Sequence, residues 1–485
     1  MNPTRRALCS SLALAALPLG LPAAARERPR HPAAPPTRLP TAVASALAQA
    51  RIPASACSFV VQALDEARPS LVFNPAQAMN PASVMKLVPT YVALNMLGPS
   101  YRWKTPVYAV GPLEDGVLSG DLAFVGSGDP HLMADNLWTL ALRLRDLGLR
   151  KLDGNVLVDR SAFDLPPHDP GGFDGDALAP YNVGPDAFLV NFKAMRLGFQ
   201  PAAQGGAVDV TVEPPMAGYA VRHPPRLDQG ACGAWKDRLG ADFKQPFAPS
   251  FDGRYAASCG DQTWNIAAPM PADTFVQGML AALFAQVGIQ WHGQVVSGRL
   301  PASATLLTTW DSPPLAVVVR DINKYSNNVM AQQVFLTLAL QTYGPPADFA
   351  KAAQATTQWL DTHGLPMPDL VLDNGCGLSR IARISADDIN RLLRAAWASP
   401  VMPEFIASLP LAGEDGTLKR RFDGSPEAGL VHAKTGSLRN VLSLAGYVQS
   451  PGGRRSTVVA LINDPRAAGG WGAIEALLDV ALRTA

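Results

Sequence analysis

Apolar residues along the chain recur every three or four positions in some stretches and alternate or run together in others. The two periods predict helices and strands respectively. A helix is predicted over 41–51, a hairpin of strands 58–64 and 70–73 around Arg68-Pro69, and a further helix opened by Pro81-Ala82. In that helix Val84, Leu87, Val88, Tyr91 and Leu94 fall on one face, which must be buried, and Gly98-Pro99 ends it. Helical spacing returns at 272–286, 327–340, 347–364 and 385–399. The chain closes with strand candidates 430–435, 441–448 and 456–462 and a helix over 471–483. Residues 101–264 differ: short strand-like runs broken by Gly, Pro and Asp, with one helix around 136–146. No internal repeat is visible. The pattern predicts an α/β (α+β) architecture, an antiparallel sheet built from both chain ends, covered by helices and interrupted by a long, mainly β excursion.

Length and charge narrow the class. The 485 residues are expected to make two or three domains at about 100–200 residues each. The reading is one domain split between 41–100 and 265–485, with 101–264 inserted. Lys plus Arg (41) nearly balances Asp plus Glu (40), so no electrostatic attraction to nucleic acid is expected. Residues 1–25 carry Arg5 and Arg6, an apolar stretch over 8–21, and Ala23-Ala24-Ala25. This reads as a signal peptide cleaved near Ala25 that delivers the protein to the periplasm, with the export route, general or twin-arginine, left open. The apolar stretch is shorter than the roughly 20 residues that span a bilayer, and no later segment reaches that length. The proline- and arginine-rich residues 26–40 read as a flexible lead-in.

Signal cleavage removes Cys9 and leaves four cysteines. Cys232 and Cys259 sit in glycine-rich, irregular sequence and close a loop of convenient length, so they are expected to pair. Cys57 and Cys376 read as lone buried thiols.

Three short motifs carry the chemistry. Ser83-Val84-Met85-Lys86 opens the buried helix and sets a hydroxyl and an amine one turn apart, so the amine can take the serine proton. Ser326-Asn327-Asn328 opens a helical run, a position where Ser and Asn are also ordinary caps. Lys434-Thr435-Gly436, followed by Ser437, lies on a late strand, where the glycine permits close approach of a ligand. Each is weak alone; in this order they reinforce one another. The set is shared by penicillin-binding proteins and class A β-lactamases.

The chain resembles that superfamily, and its long gap between Ser83 and Ser326 resembles the class C low-molecular-mass penicillin-binding proteins, or penicillin-binding protein 4 type. These are D-alanyl-D-alanine carboxypeptidases/endopeptidases. The resemblance covers essentially the whole mature chain and includes Gly126-Ser127-Gly128-Asp129-Pro130, Asp373-Asn374-Gly375-Cys376-Gly377-Leu378-Ser379-Arg380, and Asp415-Gly416-Thr417-Leu418. It implies a penicillin-binding/β-lactamase-like transpeptidase fold with two mainly β domains inserted between the first two motifs. It further implies Ser83 as nucleophile, Lys86 as its base and Ser326 as proton relay. Asn328 would hold the substrate amide, Lys434 and Thr435 its carboxylate, and the backbone N–H groups of Ser83 and Ser437 beside Gly436 the oxyanion. In the family an acidic residue of the insertion and an arginine of the Gly-Leu-Ser-Arg stretch bind the zwitterionic end of a diamino-acid side chain. Asp176 and Arg380 best match those places. The implied partners are peptidoglycan stem peptides and β-lactams, with no cofactor, no metal and no nucleic acid; a homodimer stays open.

Two positions depart from the family. Cys376 stands where relatives read Ser, for which a packing change is expected, and Arg439 stands where they often carry a neutral polar residue. The seven histidines lack metal-ligand spacing, and no Gly-x-Ser-x-Gly elbow is present, which disfavours zinc peptidase and α/β-hydrolase chemistry. A β-lactamase shares the three motifs but not the insertion. A non-catalytic penicillin-sensing or wall-binding protein would not need Ser83 and Lys86 intact.

Overall fold

A computed structural model describes residues 38–202, 206–422, 424–425 and 427–484. The expected signal peptide, residues 1–25, and most of the expected lead-in lie outside the described residues. The central sheet has five antiparallel strands in the order Val431–Leu438, Val441–Gln449, Arg455–Asn463, Cys57–Ala63, Leu71–Phe73. Both chain ends therefore meet in one sheet, and the 57–73 hairpin takes the register Phe59 opposite Phe73. The strands Cys57–Ala63, Val441–Gln449 and Arg455–Asn463 are buried on both faces almost throughout, which is why they read as apolar runs rather than as alternation.

Helices cover both sides. Thr41–Gln49 and Trp471–Thr484 share a core with Phe59, Leu442 and Leu444 on one face. Leu87–Leu97, Asn328–Tyr343 and Ala386–Ala398 share the core on the other, with Val60, Ala445 and Val459. Two further helices, Leu315–Tyr325 and Met402–Ser408, were not evident in the sequence. Leu315–Tyr325 buries Leu315, Val318, Val319 and Ile322, a helical stripe masked by the β-branched run Val317-Val318-Val319.

The excursion has its own core. A five-stranded mixed sheet runs Val295–Ser297, Val156–Asp159, Asp121–Val125, Lys104–Val110, Thr305–Asp311, and a three-stranded sheet runs Val208–Glu213, Ala194–Pro201, Gln262–Ala267. Ala134–Asp146 and Ala272–Val287 pack against them in one cluster. The pairing thus reaches Asp311: strand Thr305–Asp311 joins Lys104–Val110, and helix Ala272–Val287 packs with the excursion. An insertion ending at 264 would cut through this core.

Cys232 and Cys259 are bonded across a separation of 27 residues, and Cys57 and Cys376 are free and buried. Burial, helped by the charge of Asp464, pushes the Cys57 thiol up to about 12. In the loop-entropy picture a 27-residue loop gains about 3.5 kcal/mol from the cross-link. Alkylation of the processed, unreduced protein should label two thiols after denaturation and none before; four labelled thiols would refute the pairing. Removing the bond with Cys232→Ser and Cys259→Ser should cost roughly 2–4 kcal/mol in the excursion, measured by urea unfolding.

Candidate active site

Ser83 lies in a 3-10 turn, Ala82–Lys86, that leads directly into the Leu87–Leu97 helix. Ala82 has a φ of 46°, a left-handed conformation rare for a residue with a Cβ, so the turn must be held from outside. Asn80 does part of this: its Oδ1 accepts the Ala82 N–H at 2.9 Å, its Nδ2 donates to the Ser379 carbonyl at 2.8 Å, and its backbone exchanges two bonds with Asn463. Ser443 Oγ donates to the Pro81 carbonyl at 2.6 Å and ties the turn to the sheet. A Cβ on Gly436 would lie 2.3 Å from Ser443 Oγ and 3.0 Å from the Ser83 nitrogen, so only glycine lets the Lys-Thr-Gly strand run this close to the nucleophile.

The side chains named by the three motifs converge. Lys86 is wholly buried, and its Nζ lies 3.0 Å from Ser83 Oγ, 2.7 Å from Asn328 Oδ1 and 2.6 Å from the Cys376 carbonyl. A neutral amine has two hydrogens and one lone pair. The amide oxygen and the carbonyl can only accept, so they take both hydrogens and leave the lone pair facing the Ser83 hydroxyl. Desolvation lowers the Lys86 pKa from 10.5 to about 8. At pH 7 roughly a tenth of the amine is then neutral, against about one part in three thousand for an ordinary lysine. Lys434, also wholly buried, donates to Ser326 Oγ at 3.0 Å and to the Thr435 carbonyl at 2.8 Å. Desolvation, then the charge of Lys86, holds it well below its ordinary value.

The Ser326-Asn327-Asn328 corner divides its work. Ser326 ends the Leu315–Tyr325 helix at a φ of 57°, and Asn327, not Ser326, caps the next helix by accepting the Met330 N–H at 3.1 Å. Ser326 is thereby free to face the cleft. Asn328, expected to hold substrate, has both ends of its amide engaged: Oδ1 on Lys86 and Nδ2 on the Tyr181 carbonyl at 2.9 Å. Thr435 Oγ1 meets Thr417 Oγ1 at 2.7 Å, which brings in the Gly416-Thr417 stretch.

Ser83, Ser326, Asn328, Arg380, Ser437 and Arg439 line an open cleft of about 660 Å³ together with Phe173, Asp174, Tyr181 and Tyr325. Asp176 is not on its wall. Its carboxylate accepts the Leu178 N–H and closes a local turn. The carboxylate in the cleft is Asp174, two residues earlier, which accepts from Asn182 at 2.8 Å and from the Tyr181 hydroxyl at 2.9 Å. The Asn182 bond leads, with Arg380 adding, in holding its pKa below the usual value. Arg380 stacks 4.1 Å above the Phe173 ring. The sequence offered two aspartates around Gly175, and nothing local distinguishes which one faces inward. Cys376 is fully buried, its Sγ 3.2 Å from Asn374 Oδ1 and 3.4 Å from Gln332 Nε2, so the thiol fills the serine's place with weaker hydrogen bonds. Asn374 was not singled out by motif. Its Oδ1 also accepts the Cys376 and Gly377 N–H groups, at 3.1 and 3.2 Å, and its Nδ2 donates to the Leu378 carbonyl at 2.8 Å. It shapes the loop that aims the Cys376 carbonyl at Lys86.

This sheet, the Ser-x-x-Lys turn against its edge strand and the two buried lysines define a serine acyl-transfer enzyme of the penicillin-binding/β-lactamase-like fold. The profile of the D-Ala-D-Ala carboxypeptidase 3 (S13) family matches residues 39–480, and the chain belongs to that family, with the penicillin-binding protein 4 type of architecture. Its activity class is the serine-type D-alanyl-D-alanine carboxypeptidase. It is 24% identical over 414 residues to the D-alanyl-D-alanine carboxypeptidase DacB of Haemophilus influenzae, covering 81% of this chain and 82% of that one. It is 28% identical over 396 residues to the D-alanyl-D-alanine carboxypeptidase of Actinomadura sp. strain R39, covering 77% and 71%. Solved structures of penicillin binding protein 4 from Haemophilus influenzae, one complexed with a β-lactam, align with TM-scores of 0.74 and 0.71 at 22% and 21% identity. Each covers 90% of this chain and 99% of the other.

The pH dependence follows from Lys86. The base must be neutral, so penicillin acylation under subsaturating conditions should rise about tenfold per pH unit below about 8 and level off above it. Asn374→Ala should slow acylation roughly 10–100-fold by letting the carbonyl shift. Asn374→Asp keeps the acceptor oxygen but adds a negative charge that favours the ammonium, so its profile should move to higher pH. Stopped-flow acylation across pH checks both; unshifted profiles would mean that Asn374 only stabilises the loop.

Proposed function

We propose that the protein is exported to the periplasm and trims peptidoglycan stem peptides, as a carboxypeptidase and cross-link endopeptidase, through an acyl-enzyme on Ser83 that β-lactams trap. The reading rests on one observation: the Nζ of wholly buried Lys86, its pKa lowered by desolvation, lies 3.0 Å from Ser83 Oγ. Ser83 Oγ attacks the carbonyl between two D-alanines while its proton passes to Lys86 Nζ. The negative oxygen is received by the backbone N–H groups of Ser83 and Ser437. As the C–N bond breaks, the proton held by Lys86 returns to the departing amine by way of the Ser326 hydroxyl, which gives up one proton and regains another, so Lys86 is neutral again; Lys434 donates to the same Oγ, which leaves that hydroxyl hydrogen free to point into the cleft. A water then cleaves the ester, its proton passing to Lys86 and on to Ser83 Oγ as that oxygen leaves.

Lys434, Thr435 and Gly436 take the terminal carboxylate. An arriving anion favours the charged form of Lys434, so the cost of burying that ammonium is offset only when substrate is present. Asn328 acts on substrate through its hold on Lys86, or after releasing Tyr181. We assign the catalytic unit to the two end segments and the excursion to residues 101–311, with Asp174 and Arg380 as the pair that receives the diamino-acid end. An ammonium meeting Asp174 and a carboxylate meeting Arg380 are complementary, and Tyr181 and Phe173 brace the two groups. Asp176 then serves only its turn.

Intact-mass and peptide mapping after penicillin treatment should find one adduct, on Ser83, and none in Ser83→Ala; label on another residue overturns the nucleophile. With a diaminopimelate-containing pentapeptide, Asp174→Ala should reduce kcat/KM roughly 10–100-fold while penicillin acylation stays within about threefold. Asp176→Ala should leave both nearly unchanged, and a larger effect from Asp176→Ala would restore it to the site.

A further inference from the structure

Residues 168–190 border three cavities. Phe173 and Tyr181 face the catalytic cleft. His168 and Asn182 face an intermediate space of about 290 Å³. A third cavity, of about 360 Å³, lies between this segment and residues 267–276. It is walled by Leu178, Phe188, Val190, Met270 and Phe275, with Lys193 on its wall. The catalytic reading uses neither this cavity nor Lys193. We propose that it is a binding site for a short amphiphilic carboxylate, whose head pairs with Lys193 and whose chain lies against Phe188, Met270 and Phe275.

Size, charge and backbone support this separately. A volume of about 360 Å³ is within the range of small-molecule sites. At about 30 Å³ per water-sized group it holds roughly a dozen non-hydrogen atoms. Lys193 is the one lysine or arginine on the wall, and among the described residues its ammonium has no hydrogen-bond or ion-pair partner. Burial lowers its pKa, and Asp186, also on the wall, opposes that shift. Asp186 is itself committed: Arg160 Nε meets both of its oxygens, at 2.9 and 3.0 Å, and it accepts the Phe188 N–H. Arg160 is in turn shared with Asp273 at 2.7 Å. The acids nearby therefore satisfy the arginine and leave the lysine ammonium without a direct partner. His168 is also engaged, with Nε2 2.6 Å from the Asn182 carbonyl.

The backbone holds Lys193 in an unusual way. Asn191, Phe192 and Lys193 have consecutive φ values of 47°, 54° and 46°, a region L residues rarely occupy once and hardly ever three times running. The stretch is fixed by the Asn191 N–H on the Leu132 carbonyl, by Asn191 Nδ2 on the Ala194 carbonyl and by the Lys193 N–H on the Val190 carbonyl. Such strain persists where the surroundings demand a particular side-chain position. A single ammonium in an apolar wall suits a singly charged head; a phosphate would leave most of its acceptors without donors. The segment's carbonyl at Tyr181 also accepts from Asn328, so the ligand would rest against the element that touches the catalytic amide.

Decanoate, with twelve non-hydrogen atoms, is the probe. Isothermal titration into the full chain should show one saturable site that persists after penicillin has acylated the protein and filled the cleft. Lys193→Met should weaken it at least tenfold, and neutral decanol should bind at least tenfold more weakly than decanoate. Ala177→Trp, at an exposed position on the cavity wall, should block binding with Lys193 intact. Thermal melts establish that both variants fold, so the result stands whether or not Ser83 is the nucleophile. No saturable site, equal binding of decanol, indifference to Lys193→Met and Ala177→Trp, or loss of binding on acylation would each overturn the proposal.

Discussion

Two lysine ammonium groups without a carboxylate partner are buried side by side, and the catalytic end of the molecule depends on that constraint. Lys86 and Lys434 are both fully shielded from water, and among the described residues neither forms an ion pair with an acid. Burying a charge with nothing opposite costs several kcal/mol, so burial pulls both pKa values down and the amines give up a proton more readily than an exposed lysine. The fold must then supply neutral acceptors in fixed places. It does so with the Asn328 amide, the Cys376 carbonyl and the Thr435 carbonyl. Each is set by a different element: the start of the Asn328–Tyr343 helix, the loop shaped by Asn374, and the edge strand Val431–Leu438. The price of this arrangement is a backbone held in the left-handed region at Ala82 and Ser326, beside the nucleophile and the relay.

The excursion is part of this network as well as a wall. Tyr181 reaches from it to Asn328 with its backbone and to Asp174 with its hydroxyl. A shift of that segment would move the amide that orients Lys86. A side chain received at Asp174 and Arg380, as proposed above, would be three hydrogen bonds away from the base, which gives a physical route from substrate identity to turnover.

Much of this was legible in the sequence because the strong signals were long and periodic. The strands of the central sheet and the helices ending in Leu97, Tyr343 and Ala398 sat close to their expected limits, since continuous burial leaves a continuous apolar record. The Leu315–Tyr325 helix was hidden by three consecutive valines, whose propensity argues for strand while packing decides for helix. The end of the excursion was hidden for another reason: strand Thr305–Asp311 pairs with Lys104–Val110, about 200 residues earlier, and pairing over that distance leaves no local trace. Motif spacing singled out Ser83, Lys86, Ser326, Asn328 and Lys434, and the fold places these side chains together. The sequence pointed to Asp176, whereas the carboxylate lining the cleft is Asp174, because its orientation is set by the turn at Gly175, with a φ of 88°, and by Tyr181 and Asn182 reaching back, none of which leaves a local sequence signal. Asn374 was invisible as a positioning residue because its side chain touches only the loop it shapes, and reaches Lys86 through the Cys376 carbonyl.

The central claim is that Lys86 is the uncharged base, and its side-chain nitrogen can be watched directly. Nitrogen-15 NMR of lysine-labelled protein, with the Lys86 signal assigned by its loss in Lys86→Met, follows that amine through pH. The account predicts a titration near 8, well below the 10.5 of an ordinary lysine. A Lys86 signal that stays ammonium to pH 10 would contradict it.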